Sequence, residues 1–155
     1  MAAVVEDTIR EVLEEVVDAL GLNGTVEVER DHEVVTGTVH GDDLGLFIGR
    51  HGQTIDAVQH LIFRIALARG AGDEGDLRVI IDAEGYRARR AEALQRVADQ
   101  AAEDARRFGR PVALDAMTAS ERKLVHEYLR DRGGVETYSE GEEPDRHLVV
   151  APLVV

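Results

Sequence analysis

The tetrad Gly49-Arg50-His51-Gly52 combines two residues that can hold a phosphate group with two that leave room for it. Glycine has no Cβ, so a phosphodiester backbone can approach the main chain closely at Gly49 and Gly52. Arg50 carries a permanent positive charge with five donors, and His51 adds a ring donor. These residue types predict a phosphate-binding loop. The alternative is a pair of glycines that only joins two helices, with Arg50 and His51 in solvent.

An apolar run after the tetrad predicts a helix from about residue 53 to residue 68. The amides at the start of a helix point toward a ligand placed there, and the helix dipole favours negative charge. Two isoleucines flank the tetrad, Ile48 before it and Ile55 after it. We expect them to border a shallow apolar groove in which unstacked bases can lie.

A second pair with binding chemistry is Arg122 and His126. Their spacing places them one turn apart on the same face of a helix. Lys123 lies beside them, and Arg130 continues the stripe. Such a stripe predicts contact with a nucleic-acid backbone, which positions a strand without reading its sequence. A solvated helix face is the alternative.

No pattern in the sequence predicts catalysis or a metal site. The chain has no cysteine, which removes disulfides, thiol catalysis and thiolate ligands together. The six histidines show no metal-ligand spacing. A glycine-rich nucleotide loop, an H-E-x-x-H pair and a nucleophile elbow are all missing from the sequence. We therefore expect a protein that is not an enzyme and uses no cofactor.

The net charge of −13 argues at first against a polyanionic ligand, but the charges are segregated. Residues 1–33 hold ten acids and two bases, whereas residues 49–70 and residues 84–111 each carry a net charge of +2. Binding by the basic segments is feasible, and we expect it to be weak without specificity and sensitive to salt. The acidic first helix leaves one alternative function, an adaptor with a KH fold that docks a basic protein surface.

Hydrophobic periodicity predicts two helices and three strands in the first half of the chain. The predicted elements are a helix over 5–20, strands over 25–30 and 34–40 joined by a turn at 31–32, a short apolar piece over 44–48, the helix after the tetrad, and a strand over 77–82. The N-terminus is acidic, unlike a signal peptide, and no apolar run approaches the roughly 20 residues of a membrane span. We expect a cytoplasmic protein without direct membrane insertion.

The pattern changes at about residue 84, so we predict two domains, 1–83 and 84–155. The second begins with an arginine- and alanine-rich helix, on which we expect inward-facing apolar side chains at Leu94, Val97, Ala101, Ala105 and Phe108. A short strand over 112–114 follows. Thr118 and Glu121 form a capping-box pattern that opens a helix to about residue 132. Strands over 135–139 and 146–151 complete an α+β chain.

The order α-β-β-α-α-β, with the tetrad before the third helix, resembles a type II KH domain over residues 1–83. KH domains clamp backbone nucleotides at a G-x-x-G loop. The resemblance therefore implies that the tetrad contacts RNA, with Ile48 and Ile55 beside the bases.

The segment from Met117 to Pro152 resembles the small α/β domain family named for its Arg-x-x-x-His signature, a module associated with single-stranded nucleic acid. The matching motifs are the Arg122/His126 pair, Ser139-x-Gly141 and Pro144-x-Arg146. The resemblance implies that Arg122 and His126 lie on an exposed face, with Arg146 close by.

A KH domain followed by an R-x-x-x-H domain is similar to the bacterial Jag family. That resemblance implies an RNA chaperone or post-transcriptional regulator that binds single-stranded RNA or single-stranded DNA. It also implies a small single-KH-domain protein as partner, and a role in cell elongation, cell shape and peptidoglycan homeostasis. Many members begin with an extra N-terminal Jag domain and a long linker, and we expect this chain to be a short form without them.

Overall fold

The computed structural model of the protein describes residues 2–153, and these form two compact units that meet in the chain after Arg87. The elements up to that point are α1 (Ala2–Ala19), β1 (Gly24–Asp31), β2 (Val34–Gly41), α2 (Gly45–Ile48), a 3₁₀ turn (Arg50–Gly52), α3 (Gln53–Ala68) and β3 (Arg78–Ala83). The remaining elements are α4 (Tyr86–Phe108), β4 (Val112–Ala113), α5 (Ala119–Arg132), β5 (Val135–Glu140) and β6 (His147–Pro152). The α+β class predicted from the sequence is confirmed.

The first unit is a three-stranded sheet in the order β1-β2-β3, packed against α1 and α3. Strands β1 and β2 form an antiparallel hairpin, whereas β2 and β3 are parallel because α2 and α3 connect them. The hairpin turn is His32–Glu33, one residue later than predicted, since Asp31 pairs with Val34. The buried stripe of α1 is Val5, Ile9, Leu13 and Val17. Leu20 lies beyond the end of α1 and is exposed, so its predicted place on that stripe is wrong.

The second unit is an antiparallel sheet in the order β4-β6-β5, with a core that also draws on α4 and α5. The buried side chains of α4 are Leu94, Ala98, Ala101, Ala102 and Ala105. Val97 and Phe108 were predicted to face inward, and this is wrong because they are 48% and 57% exposed. Small alanines allow close packing, and they fill the buried face where the larger side chains were expected.

Helix α5 begins as the sequence predicts. Thr118 is the N-cap, and its hydroxyl accepts a hydrogen bond from the Glu121 amide at 3.3 Å. The Glu121 carboxylate does not return to the cap, because it accepts bonds of 3.2 and 3.0 Å from the Arg90 guanidinium. The capping box is therefore half formed, and its acid joins α5 to α4.

The structure was also searched for membrane spans and metal sites. Among the helices of residues 2–153, none is both long and apolar enough to cross a membrane. The same residues contain no group of three or more histidines, aspartates and glutamates that could hold a metal ion.

His40, near the end of β2, lies between two carboxylates. Its Nε2 is 2.8 Å from Glu27 Oε2, and its Nδ1 is 3.5 Å from Glu84 Oε1. The hydrogen bond with Glu27 is the largest cause that raises the pKa of His40 above its usual value. The stabilisation from a raised pKa is present below the unfolded value of about 6.5 and is lost as the pH rises through the folded value.

We expect His40→Ala to lower the melting temperature at about pH 5.5 and to change it little at about pH 9. Thermal unfolding followed by circular dichroism at both pH values measures the difference. His32→Ala is the control, because the His32 side chain is almost fully exposed. An equal loss at both pH values would contradict the assigned charge interaction.

Candidate nucleic-acid interface

The tetrad forms a tight loop between α2 and α3. Gly49 has φ 73° and ψ 176°, His51 has φ 54°, and Gly52 has φ 79°. A positive φ at His51 is strained for a residue with a side chain, and such strain is concentrated at functional sites. Arg50 and His51 are exposed at the tip. Within residues 2–153, neither side chain has a hydrogen-bond or ion-pair partner.

Both glycines are required by packing within the protein. A Cβ on Gly49 would lie 2.3 Å from Thr54 Oγ1, and a Cβ on Gly52 would lie 2.9 Å from the Tyr86 hydroxyl oxygen. The space that the missing Cβ atoms leave is therefore filled by Thr54 and Tyr86. The sequence suggested that this space serves a ligand, and the structure gives a different reason for the two glycines.

The predicted groove between Ile48 and Ile55 is wrong for Ile55. That side chain is fully buried, because it lies on the same face of α3 as Val58 and Ile62. Ile48 is half-buried and packs against the core. The large apolar side chain of α2 that does reach the surface is Leu46, at 66% exposure.

A groove that sequence analysis missed lies between α3 and β3, with a volume of about 380 Å³. Its lining includes Gln59, His60 and Phe63 from α3 and Arg78 and Ile80 from β3. Strand β3 is at the edge of the sheet, so the groove runs along a strand without a neighbour on that side. The signal in the sequence was weak, since it required knowing that β3 pairs only with β2.

Arg87 occupies part of the β3 edge. Its Nε donates to the Ile81 carbonyl at 2.6 Å, Nη1 donates to Asp56 Oδ1 at 3.0 Å, and Nη2 donates to Gln59 Oε1 at 3.0 Å. Gln59 Oε1 also accepts a bond of 2.9 Å from the Ile81 amide. Both peptide groups of Ile81 are thus bound by side chains, and Asp56, at the start of α3, has its charge paired.

The Arg122 side chain is 11% exposed, so its predicted place on an exposed face is wrong. Its Nη2 donates to Glu143 Oε1 at 2.6 Å, and its Nη1 donates to the Met117 carbonyl. His126 is half-buried, and its Nδ1 is hydrogen-bonded to the Thr137 hydroxyl. Both residues therefore bind groups of their own unit.

Arg146 is close to Arg122, as the resemblance implied. The Arg122 Nη1 lies 3.5 Å from the Arg146 carbonyl. Arg146 itself donates to the Gly141 carbonyl and to the Ser139 hydroxyl, both at 2.6 Å. These bonds hold the turn between β5 and β6 next to the start of α5. Lys123, one position from Arg122, is exposed.

A unit of order α-β-β-α-α-β with a glycine tetrad before α3, followed by a unit with the R-x-x-x-H pair on a helix, defines a protein with a KH domain and an R-x-x-x-H domain. Comparison with known families gives the same two domains. Residues 6–81 match the KH domain of KhpA/KhpB, and residues 92–152 match the R-x-x-x-H domain.

Similar proteins carry both domains under one name, RNA-binding protein KhpB. The chain is 35% identical to the protein from Clostridium symbiosum over 94% of this chain and 65% of the relative. It is 38% identical to that from Lactiplantibacillus plantarum over 88% and 41%, and 33% identical to that from Bacillus subtilis over 90% and 66%. The chain belongs to this KhpB family, the bacterial Jag proteins. It spans about two fifths to two thirds of the length of these relatives.

Proposed function

We propose that the protein binds single-stranded RNA, with the tip of the tetrad as the contact to the RNA backbone. The observation that carries this proposal is the exposure of Arg50 and His51 without a partner in the described part of the chain. By contrast, the guanidinium groups of Arg30, Arg64, Arg69 and Arg87 in the same unit are each directed at a carboxylate. An unpaired guanidinium beside the first amides of α3 suits a phosphate group.

The bases of the bound strand are proposed to lie in the groove between α3 and β3. Phe63 supplies an apolar surface there, and His60 and Arg78 supply donors at its border. This groove replaces the one expected between Ile48 and Ile55. Direct hydrogen bonds from a base to the Ile81 peptide groups would require Arg87 and Gln59 to release them.

In the second unit, we propose a division of labour along α5. Arg122, His126 and Arg146 position the turn between β5 and β6 through the bonds described above. The exposed Lys123 and Arg130 supply the charges for a nucleic-acid backbone, since neither is held by a carboxylate within residues 2–153. The pair that gives the domain its name thus acts mainly by positioning, in our proposal.

The cellular role is proposed from the family. The relatives named above are called RNA-binding proteins, which supports RNA as the ligand. We propose that this chain acts in the cytoplasm as an RNA chaperone or post-transcriptional regulator, with a role in cell elongation and envelope homeostasis. The shared KhpA/KhpB domain type supports a small single-KH-domain protein as its partner.

Salt dependence tests the proposal. The logarithm of the association constant for a single strand falls with the logarithm of salt concentration by about 0.7 per phosphate contact. We expect a slope between about −2 and −4, because the chain offers only a few unpaired cations. Fluorescence anisotropy of a labelled single-stranded RNA at several salt concentrations measures the slope. Arg50→Ala is expected to make it shallower by about 0.7.

A flat salt response would favour the adaptor function instead. One exposed face of α1 carries five acidic residues beside Arg10, around a shallow depression of about 510 Å³, namely Asp7, Glu11, Glu14, Glu15 and Asp18. Such a face suits a basic protein surface. Binding to a basic peptide, with no binding to RNA, would therefore overturn the proposed function.

A further inference from the structure

The end of α4 carries an exposed aromatic ring between two arginines. Phe108, the last residue of the helix, is 57% exposed. The Arg107 Cζ lies 5.4 Å from the ring centroid, and the Arg110 Cζ lies 5.6 Å from it. Gly109 turns the chain between them with φ +64°. Arg107, Phe108 and Arg110 are called the α4-end cluster below.

The core of the second unit does not explain Phe108. The core side chains of α4 end at Ala105, and Phe108 is not among the residues packed against them. Exposing most of a phenyl ring forgoes about 1.5–3 kcal/mol of burial that an inward position would give. The ring is available for a ligand without any rearrangement of the core.

The two arginines of the α4-end cluster are also available. Within residues 2–153, neither Arg107 nor Arg110 has a carboxylate partner. A second arginine–aromatic pair in the same unit shows the contrast. The Arg132 Cζ lies 4.8 Å from the Tyr128 ring centroid, but Asp99 binds both the Tyr128 hydroxyl and the Arg132 guanidinium.

The local charge indicates what kind of ligand fits. Residues 106–111 contain three arginines and no acid, in a chain whose net charge is −13. A ring face with cations on both sides matches a nucleotide, whose base stacks on aromatic side chains while its phosphates attract arginine. A basic protein is repelled by this charge, and a purely apolar partner leaves the guanidinium groups unused.

We propose that the α4-end cluster is a stacking platform for an unpaired base of single-stranded nucleic acid, with Arg107 and Arg110 on the flanking phosphates. The site is separate from the R-x-x-x-H pair, because it lies on α4 rather than on α5. The inference rests on the proposed function, since it assumes that the same protein binds single-stranded RNA.

A single indole reports on stacking. The chain has no tryptophan, so Phe108→Trp introduces one fluorophore at the ring position. We expect titration with a single-stranded RNA of about 12 nucleotides to quench its emission, because a stacked base contacts the indole directly. An abasic oligonucleotide of the same length keeps the phosphates and is expected to leave the emission unchanged. Val97→Trp is the matched control, exposed on the same helix without an arginine over it.

Affinity provides the second measurement. Phe108→Ala is expected to weaken binding to the same RNA at least about fivefold, and Arg107→Ala with Arg110→Ala by a similar factor. The fold should not change, because all three side chains are exposed, and circular dichroism checks this point. Tight RNA binding with no quenching at Phe108→Trp and full affinity for Phe108→Ala would overturn the platform and leave the proposed function intact. Absence of RNA binding by the unchanged protein would overturn both.

Discussion

Replacing Arg50 and His51 together with aspartate is expected to lower the affinity for short single-stranded RNA at least about tenfold, or about 1.4 kcal/mol. The substitution removes the two exposed donors at the tip of the tetrad and places two carboxylates where the phosphate is proposed to bind. Stability should change by no more than about 0.5 kcal/mol, since both side chains are exposed and unpaired within the described residues. Anisotropy titrations and urea unfolding measure the two quantities on the same samples.

A matched control separates this local effect from net charge. Arg64→Asp together with His32→Asp makes the same chemical changes at exposed positions outside the tetrad. We expect this double variant to keep most of the affinity, because a screened surface charge acts over only about 10 Å. An equal loss of affinity in both double variants, or none in either, would remove the tetrad from the proposed interface.

Gly49→Ala is expected to lower the free energy of unfolding by about 3 kcal/mol. The backbone of Gly49, at φ 73° and ψ 176°, lies in a region that is essentially restricted to glycine and costs other residues about 1–3 kcal/mol. The new methyl group would also lie 2.3 Å from Thr54 Oγ1 and 2.9 Å from the Thr54 amide nitrogen, so α3 itself would have to move. Urea unfolding of the full chain gives the change in free energy.

Gly45→Ala is the control for glycine replacement as such. Gly45 is in α2, and a Cβ there would meet nothing within 4 Å. That substitution should be neutral or stabilise the protein by up to about 1 kcal/mol. Equal stability of the Gly49 and Gly45 variants would contradict the packing assigned to Thr54. RNA-binding tests should therefore change Arg50 and His51 and leave the glycines in place.

The sequence predicted the elements well where a strong local pattern marks both ends. Helix α3 begins after Gly52 and ends at Ala68 as expected, and α5 begins at the predicted Thr118 cap. The hydrophobic period also indicated α4, but not which face is buried near its end. Phe108 could not be assigned from the period, because its exposure depends on where the packing partners of α4 stop.

The candidate site was predictable as residue types and much less as contacts. The positions of Arg50 and His51 follow from a local loop, so the sequence indicated their exposure. The burial of Arg122 depends on Glu143, which is 21 residues away, and on the turn between β5 and β6. The groove beside β3 depends on the order of strands in the sheet, and no local pattern encodes that order.

The bonds that Arg87 and Gln59 make to Ile81 have a consequence for self-association. A strand at the edge of a sheet carries open amide and carbonyl groups, on which a strand from another molecule can build an intermolecular sheet and start aggregation. At Ile81 both groups are already bound, by Gln59 Oε1 and by Arg87 Nε. An incoming strand would have to break the Arg87–Asp56 ion pair as well. The protein can thus keep an open groove beside β3 while that strand is blocked in its middle as a template for fibre-like assembly.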